Sequence, residues 1–141
     1  MSELIVLSAI GSDRTGVVQD LTKVIMSCDG NIEESRMTTL GSEFAVLMLV
    51  SGNWHTLGKL EKELNKLSAS DNLTFTIRKT GERAVKEDRM PYLVDAVSLD
   101  HQGIVYGLAT FFAAHDIEIA DVATRSYAAA HTGAPMFAVQ M

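Results

Sequence analysis

Apolar and polar residues change their spacing near the start of the chain. Leu4–Ile10 is a short, nearly continuous apolar run that ends at Gly11, which predicts a buried strand. From Val17 onwards, apolar residues recur at the spacing of one helix face, and Asp29-Gly30 is typical of a helix end. The pattern therefore predicts a strand followed by an amphipathic helix. The apolar positions of this helix are Val17, Val18, Leu21, Val24, Ile25 and Cys28.

Two further strands and a second helix follow in the next part of the chain. Asn31–Leu40 and Glu43–Val50 favour strands, and Gly41-Ser42 between them predicts a hairpin. Asn53 is placed to cap a second helix, and Leu73–Ile77 alternates like a strand. The order βαββαβ within residues 1–79 predicts one ferredoxin-like unit. The expected buried stripe of the second helix is Trp54, Leu57, Leu60, Leu64 and Leu67.

The same pattern then begins again. Residues 80–90 are mostly charged and show no core pattern, so they predict a linker. Sliding the sequence by 87 places puts Asp13 on Asp100 and Gly16 on Gly103, with the following apolar positions in register. A strand, turn and helix repeated in this way indicates tandem units.

The second copy, residues 91–141, is shorter than the first. Ile117–Tyr127 and Met136–Gln140 predict two strands, after which there are no residues for a second helix or a fourth strand. We therefore expect an α+β chain of two tandem ferredoxin-like units, the second a βαββ unit. Such a unit has an unpaired edge and a partly uncovered face. Either a partner chain covers them, or the chain is a shortened form of a longer protein, which is the expectation that we favour.

Charge and cysteine content narrow the classes of function. Twelve Lys and Arg against eighteen Asp and Glu give a net charge of -6, which disfavours direct binding to nucleic acid. Cys28 is the single cysteine, so an internal disulfide is excluded and a reducing compartment is favoured. The N-terminus is unlike a signal peptide, and no apolar run reaches the ~18 residues of a membrane span. A cytoplasmic protein without membrane contact is expected.

The segment Gly11–Gly16 carries the most chemical content. Glycines allow close backbone approach, and the N–H groups of a helix start attract a carboxylate. Asp13 would then meet an ammonium group, so that the segment would hold an amino acid. In the alternative, Asp13 or Thr15 caps the helix and Gly16 permits tight packing, which is the commoner use of such residues. The residues by themselves favour the second interpretation, in which Asp13 or Thr15 caps the helix.

Other chemistry finds little support. A phosphate loop would need Lys and Ser or Thr where Val17-Val18 stands. Cys28 lies on the apolar stripe and is interpreted as a small core residue. We expect no metal, no cofactor and no catalytic residue, because no nucleophile and base are spaced as a set. The histidines, which lack the spacing of zinc ligands, are His55, His101, His115 and His131.

Three stretches of the first unit resemble a known family. They are Asp13–Val18, Asn31–Met37 and Met48–Gly52, and together they resemble the ACT domain family. Within that family the chain is similar to the tandem-ACT repressors of glycine cleavage genes. The resemblance covers residues 1–79 and continues less specifically through Asp100–Val105.

This resemblance implies a regulator rather than an enzyme. ACT domains bind small amino acids where the turn after the first strand of one module faces the second strand of another, and glycine is the implied effector here. The repressors lack a DNA-binding motif and restrain a LysR-type transcriptional activator by contact, and a homo-oligomer is implied as well. The implied ligand contacts are Gly11, Asp13, Arg14, Gly16, Asn31 and Ile32, with Asp100, His101 and Gly103 as weaker counterparts.

Two other functions remain open at this stage. The chain could be an ACT regulatory subunit or module that controls a metabolic enzyme carried on a separate chain. It could also be a structural module that only mediates association. Recovery of an enzyme as the partner would favour the first of these, and an Asp13 substitution without effect on ligand or partner would favour the second.

Overall fold

The computed structural model describes residues 3–141, and the chain divides into two compact units between Val85 and Lys86. Unit 1 contains, in order, β1 (Glu3–Ser12), α1 (Val17–Ser27), β2 (Asn31–Leu40), β3 (Glu43–Gly52), α2 (Trp54–Asp71) and β4 (Leu73–Thr80). Unit 2 contains β5 (Asp95–Leu99), α3 (Ile104–Ala114), β6 (Ala123–Ala128) and β7 (Pro135–Gln140). The α+β tandem of a βαββαβ unit and a βαββ unit is confirmed.

The sheet of unit 1 is antiparallel, with the strand order β2-β3-β1-β4. β1 is flanked on both edges, since Leu7 pairs with Met48 of β3 and with Ile77 of β4. Successive side chains of a strand point to opposite faces, and Ile5 and Leu7 point to the buried face that the helices cover. On the other face Leu4, Val6 and Ser8 are half-buried and Ile10 is exposed, so the buried strand predicted from the apolar run is fully buried on one face alone.

The predicted helix α1 begins at Val17 and buries Leu21 and Ile25 beneath it. At its end Asp29 adopts φ 60, and the Gly30 N–H donates to the Ile25 carbonyl over 2.9 Å. This reversed turn satisfies the last carbonyl groups of the helix. The prediction of the helix and of its end is confirmed.

The helix α2 follows its predicted stripe except at the first residue. Asn53 caps it, because its Oδ1 accepts from the Thr56 N–H at 3.0 Å. Leu60 and Leu64 are buried as expected. Trp54, however, is 69% exposed, so its predicted place in the core is wrong. Thr56, two residues later, is the buried residue of the first turn.

The core of unit 1 lies between one face of the sheet and the two helices. The face of the sheet away from the helices carries apolar residues that no element of unit 1 covers. A groove of about 1140 Å³ runs along it, lined in part by Leu4, Val6, Leu47 and Leu49. The buried core residues are Ile5, Leu7, Ala9, Val17, Leu21, Ile25, Cys28, Phe44, Val46, Met48, Val50, Leu60, Leu64 and Leu73.

Unit 2 has a thinner core than unit 1. Its sheet has the order β5-β7-β6, which repeats the β1, β3 and β2 arrangement without an equivalent of β4. No residue of α3 is buried, whereas α1 buries three. The predicted strand Ile117–Tyr127 is too long, since β6 begins only at Ala123. Residues 117–122 lack a strand to pair with, because β7 ends opposite Ala123 at Gln140.

The segment between the two units is irregular. β4 continues to Thr80, beyond the predicted end at Ile77, because it stays paired with the start of β1. Residues 81–94 form neither helix nor strand. The division between Val85 and Lys86 falls inside the segment proposed as a linker, residues 80–90.

Candidate functional site

The end of β1 contains a glycine, Gly11, that the fold needs for close packing. Gly11 is buried, and a Cβ built on it would lie 2.9 Å from Leu73 Cδ1 and 3.2 Å from the Asn72 carbonyl oxygen. The start of β4 therefore sits against the bare backbone of β1. Asp13, the first residue of the loop after β1, donates its N–H to the Ser42 carbonyl at 3.1 Å. These contacts fix the loop between β4 and the β2–β3 turn.

Gly16 is the residue that starts α1, and its conformation is left-handed, with φ 90 and ψ -2. No side chain donates or accepts at this helix start, so the expectation that Asp13 or Thr15 caps α1 is wrong. The left-handed conformation of Gly16 sets the direction in which the loop enters the helix. The side chains of Asp13 and Thr15 are exposed to solvent instead of reaching the helix start. The Val17 N–H lies 3.5 Å from the Arg14 carbonyl oxygen. No side chain accepts from the N–H groups of the first turn, and the positive end of the helix dipole favours an external acceptor there.

Arg14 is held by two carboxylates. Its Nη2 atom donates to Asp20 Oδ2 at 2.6 Å and to Asp71 Oδ2 at 2.7 Å. The hydrogen bond to Asp20, and also that to Asp71, raises the pKa of Arg14 above its usual value. Arg14 thus ties the loop to the first turn of α1 and to the end of α2. Its guanidinium charge is already balanced by the fold.

Asn31 and Ile32 lie at the other end of the sheet, at the start of β2. Ile32 is half-buried and packs against the core, and its strand partner is Val50. The register then shifts by one residue, so that Glu33 forms a bulge before Glu34 pairs with Leu49. The hairpin turn at residues 41–42 lies next to the loop after β1, whereas the bulge does not.

The bulge residue Glu33 accepts two hydrogen bonds through Oε1. The donors are Ser51 Oγ at 2.5 Å and Asn31 Nδ2 at 2.9 Å. The Ser51 bond first, and then the Asn31 bond, lowers the pKa of Glu33 below its usual value. Local sequence patterns do not indicate this cluster, since the pairing of Asn31 with Ser51 depends on how β2 and β3 align.

The implied ligand contacts of unit 1 therefore fall into two groups. The first, here named the loop end, comprises Gly11–Gly16 together with Asp20 and Asp71. The second, the bulge end, comprises Asn31–Glu33 with Ser51. Ile32 lies across β3 from Ile5, which is six residues before Gly11, so the two ends are about 20 Å apart at ~3.3 Å per residue. Unit 1 does not bring them together, so one ligand cannot touch both ends within this unit.

Unit 2 repeats the loop end in a weaker form. Gly103 starts α3 with φ 85 and ψ 9, and no side chain caps that helix either. Asp100 Oδ2 accepts from Ser126 Oγ at 3.3 Å, and His101 stands where unit 1 has Arg14. The His101 Nδ1 atom lies 2.9 Å from the neighbouring Gln102 carbonyl oxygen. The left-handed helix start is common to both units. The ion pairs of Arg14 with Asp20 and Asp71 are a feature of unit 1.

Cys28 and His115 both pack against neighbouring residues. Cys28 is buried in the core of unit 1, as expected of a small apolar residue. His115 ends α3, where its ring lies 4.3 Å from that of Phe111.

Across residues 3–141, no group of three or more His, Cys, Asp and Glu side chains is arranged to hold a metal ion. Within the same residues, no helix is both long and apolar enough to cross a membrane.

Known proteins match this chain over most of its length. The ACT domain family model matches residues 3–78. The glycine cleavage system transcriptional repressors of Escherichia coli (strain K12) and Shigella flexneri are each 30% identical over 137 residues, which is 97% of this chain and 72% of theirs. A crystal structure of an unknown protein from Galdieria sulphuraria superimposes with a TM-score of 0.78 at 26% identity, covering 99% of this chain and 80% of that one.

These matches agree with the fold and support a regulatory role. The family model spans β1 to β4, which is the complete βαββαβ unit. The two repressors extend the similarity through unit 2. The chain belongs to the ACT domain family, as a tandem ACT protein similar to the glycine cleavage system transcriptional repressor.

Proposed function

We propose that the chain is a non-enzymatic regulator that binds a small amino acid and represses transcription of glycine cleavage genes. It acts by contact with a LysR-type transcriptional activator and not by binding DNA. The similarity to two named repressors over 97% of the chain supports this proposal. The net charge of -6 supports a protein partner rather than a phosphate backbone.

The observation that carries the proposal is the uncapped, left-handed helix start at Gly16, repeated at Gly103. The N–H groups of such a start are donors for a ligand carboxylate. The loop end also contains three carboxylates, of Asp13, Asp20 and Asp71, against the single guanidinium of Arg14. This excess of negative charge disfavours a simple anion and favours a zwitterion, and Asp13 is the proposed contact for its ammonium group.

The role of Arg14 in this proposal changes from a direct ligand contact to a positioning residue. Both of its ion pairs hold the loop against α1 and α2. The exposed Asp13 carboxylate and the backbone of Gly11 and Gly16 remain the proposed contacts at the loop end. Asn31 and Ile32 are proposed contacts at the bulge end of a different module, because about 20 Å separates the two ends within one unit at ~3.3 Å per residue.

A ligand that contacts two modules favours one relative arrangement of those modules over others. The activator binds these arrangements with different affinities, so that effector binding and partner binding are coupled. In unit 2, Asp100, His101 and Gly103 form the weaker counterpart. Its Asp100 carboxylate already accepts a hydrogen bond from Ser126, which reduces its capacity for an ammonium group.

Calorimetric titration tests the effector. The full chain is titrated with glycine, alanine and serine, next to the variants Asp13→Ala and Asp88→Ala. Asp88 is an exposed carboxylate outside the helices and strands, which makes it a matched control. We expect saturable binding of glycine that weakens about tenfold or more in Asp13→Ala and stays unchanged in Asp88→Ala. Absence of heat with any amino acid at millimolar concentration contradicts the proposal.

A pull-down from the cytosol of the source organism tests the partner. The tagged full chain is used with and without glycine, and bound proteins are identified by mass spectrometry. We expect a LysR-type activator whose recovery changes with glycine. Recovery of a metabolic enzyme in its place would identify the chain as a regulatory subunit of that enzyme instead.

A further inference from the structure

The face of the unit 1 sheet that points away from the helices carries an apolar stripe along its two central strands. Leu7 points to the helices, so its neighbours in β1 point to the other face, which they share with their antiparallel partners in β3. Leu47 and Ile10 are 53% and 56% exposed there. Ser8 is a polar residue within the stripe. The apolar residues, here named the outer stripe, are Leu4, Val6, Ile10, Ala45, Leu47 and Leu49.

Opposite charges border the outer stripe on its two sides. On β2, Glu34 pairs with Leu49 and therefore lies beside it on this face. On β4, Arg78 pairs with Val6 and lies beside it on the same face. Across the sheet, the order is thus a carboxylate, two apolar side chains and a guanidinium. Glu34 and Arg78 are both exposed.

The negative border at β2 is not cancelled by its own cation. Arg36 Nη2 lies 3.9 Å from Glu34 Oε1, at the long end of an ion pair. Glu33 adds a second carboxylate, which Ser51 holds through a hydrogen bond. Two carboxylates therefore stand against one guanidinium on this side of the outer stripe.

The dimensions of the outer stripe match those of one helix. Two strands spaced by ~4.8 Å make it about 10 Å wide, which is the diameter of an α-helix with its side chains. From Leu4 to Ile10 it is about 20 Å long, which a helix of about 13 residues spans. A packed sheet would need apolar residues on more strands, whereas β2 and β4 present polar residues on this face, among them Thr38 and Thr76.

We propose that the outer stripe binds an amphipathic helix of a protein partner, with a basic flank against β2 and an acidic flank against β4. The apolar face of such a helix would be buried on the groove of about 1140 Å³ that Leu4, Val6, Leu47 and Leu49 line. Its basic and acidic flanks would meet the opposite charges of the two borders. This inference rests on the proposed function and deepens it, because it names the surface and the kind of segment that the transcriptional activator contributes.

A peptide tests recognition directly. The probe is a fluorescein-labelled, lactam-bridged helix of about 14 residues, with leucines on one face, lysines on one flank and glutamates on the other. Its binding to the full chain is followed by fluorescence anisotropy. We expect saturable binding that Leu47→Glu weakens about tenfold or more, because a carboxylate would be buried against leucines. Met26→Glu is the matched control, since Met26 is an exposed apolar residue of α1 and should bind as the parent does.

A charge reversal at Arg78 separates lost recognition from lost folding, because this side chain is exposed. Arg78→Glu makes both borders acidic. Binding of the lysine/glutamate peptide should then weaken about threefold or more, and a peptide with lysines on both flanks should bind more tightly than it does to the parent. Lys23→Glu makes a matching charge change on the exposed side of α1 and should not change the order of the two peptides.

Three peptide results would overturn the inference. They are absence of binding to the parent, equal binding to the parent and Leu47→Glu, and an unchanged order of the two peptides in Arg78→Glu. Sedimentation velocity identifies a different occupant: self-association that Leu47→Glu abolishes, without peptide binding, would show that a second copy covers the outer stripe.

The activator pull-down distinguishes a failure of this inference from a failure of the proposed function. The parent, Leu47→Glu and Met26→Glu are compared after calorimetry has shown that each binds glycine equally. Loss of the LysR-type activator with Leu47→Glu alone is the expected result. Equal recovery with all three variants leaves the proposed function standing and overturns the assignment of the outer stripe. Absence of the activator with the parent contradicts the proposed function, and the peptide titrations then decide whether the outer stripe binds a helix.

Discussion

Gly16 and Gly103 adopt the same left-handed backbone conformation at the same point of their two units. Each is the residue that starts the helix after the first strand, and the φ angles are 90 and 85. A Cβ at Gly16 would come no closer than 3.6 Å to Arg14 Nη1, and one at Gly103 would meet no atom within 4 Å. The requirement for glycine is therefore conformational and not steric.

We predict that Gly16→Ala and Gly103→Ala each lower the free energy of unfolding by about 1–2 kcal/mol, the cost of a left-handed L-residue. Urea denaturation measures this. The single tryptophan, Trp54, reports on unit 1 by fluorescence, and far-UV circular dichroism reports on both units.

Gly58→Ala is the matched control for these two variants. Gly58 lies within α2, and a Cβ there meets no atom within 4 Å. In a helix interior alanine is favoured over glycine by roughly 0.5–1 kcal/mol, so this variant is expected to be more stable than the parent. A Gly16→Ala variant as stable as the parent would contradict the conformational requirement.

Gly52 is constrained by contact. A Cβ on Gly52 would lie 2.6 Å from Cγ2 and 2.8 Å from Cβ of Thr56, which is buried at the start of α2. We predict that Gly52→Ala lowers the stability of unit 1 by about 1–3 kcal/mol, since a branched side chain on a helix cannot move aside without strain. Gly81→Ala, where a Cβ meets no atom within 4 Å, should change stability little when measured by Trp54 fluorescence.

The cap of α2 gives a third prediction. Asn53 Oδ1 accepts from the N–H of Thr56 at 3.0 Å and from its hydroxyl at 3.2 Å. Asn53→Ala removes both bonds and should lower the free energy of unfolding by about 1 kcal/mol. Asn53→Asp keeps an acceptor at the same place and should retain most of the stability in the same urea titration. Equal losses in the two variants would show that the cap contributes nothing.

Local patterns predicted the elements of unit 1 well, because each depends on residues near in sequence. The bounds of β2, the start of α1 and the cap at Asn53 follow from turn residues and periodicity. The cap of α1 could not be predicted in this way. Asp13 and Thr15 are good capping residues, yet the left-handed Gly16 turns the chain so that neither reaches the helix start.

The parts of the site that sequence reasoning missed depend on distant pairs. Arg14 and Asp71 are 57 positions apart, and their ion pair exists only because α2 ends beside the loop after β1. The Glu33 bulge likewise depends on how β2 aligns with β3. The early end of β6 has the same origin, since a strand stops where its partner stops. Tertiary pairing, and not local propensity, decides these features.

The Glu33 cluster leads to a prediction about pH. Because its hydrogen bonds from Ser51 and then Asn31 lower the pKa of Glu33 in the folded protein, folding is favoured where the carboxylate is charged. This contribution is fully present above the pKa of an unfolded glutamate and is lost as the pH falls through the lower, folded pKa. Glu33→Gln should therefore be less stable than the parent at neutral pH, and the difference should shrink on acidification. Urea titrations at a series of pH values measure it.

The pKa itself is measured by an NMR titration of the Glu33 carboxyl group. Ser51→Ala removes the stronger of the two hydrogen bonds and should move the pKa of Glu33 upward, towards its usual value. Ser70→Ala is the matched control, because the Ser70 hydroxyl donates to the Leu67 carbonyl within α2, so its removal should not move that pKa. If Ser51→Ala leaves the titration of Glu33 unchanged, the hydroxyl does not hold the carboxylate, and the bulge owes its shape to strand pairing alone.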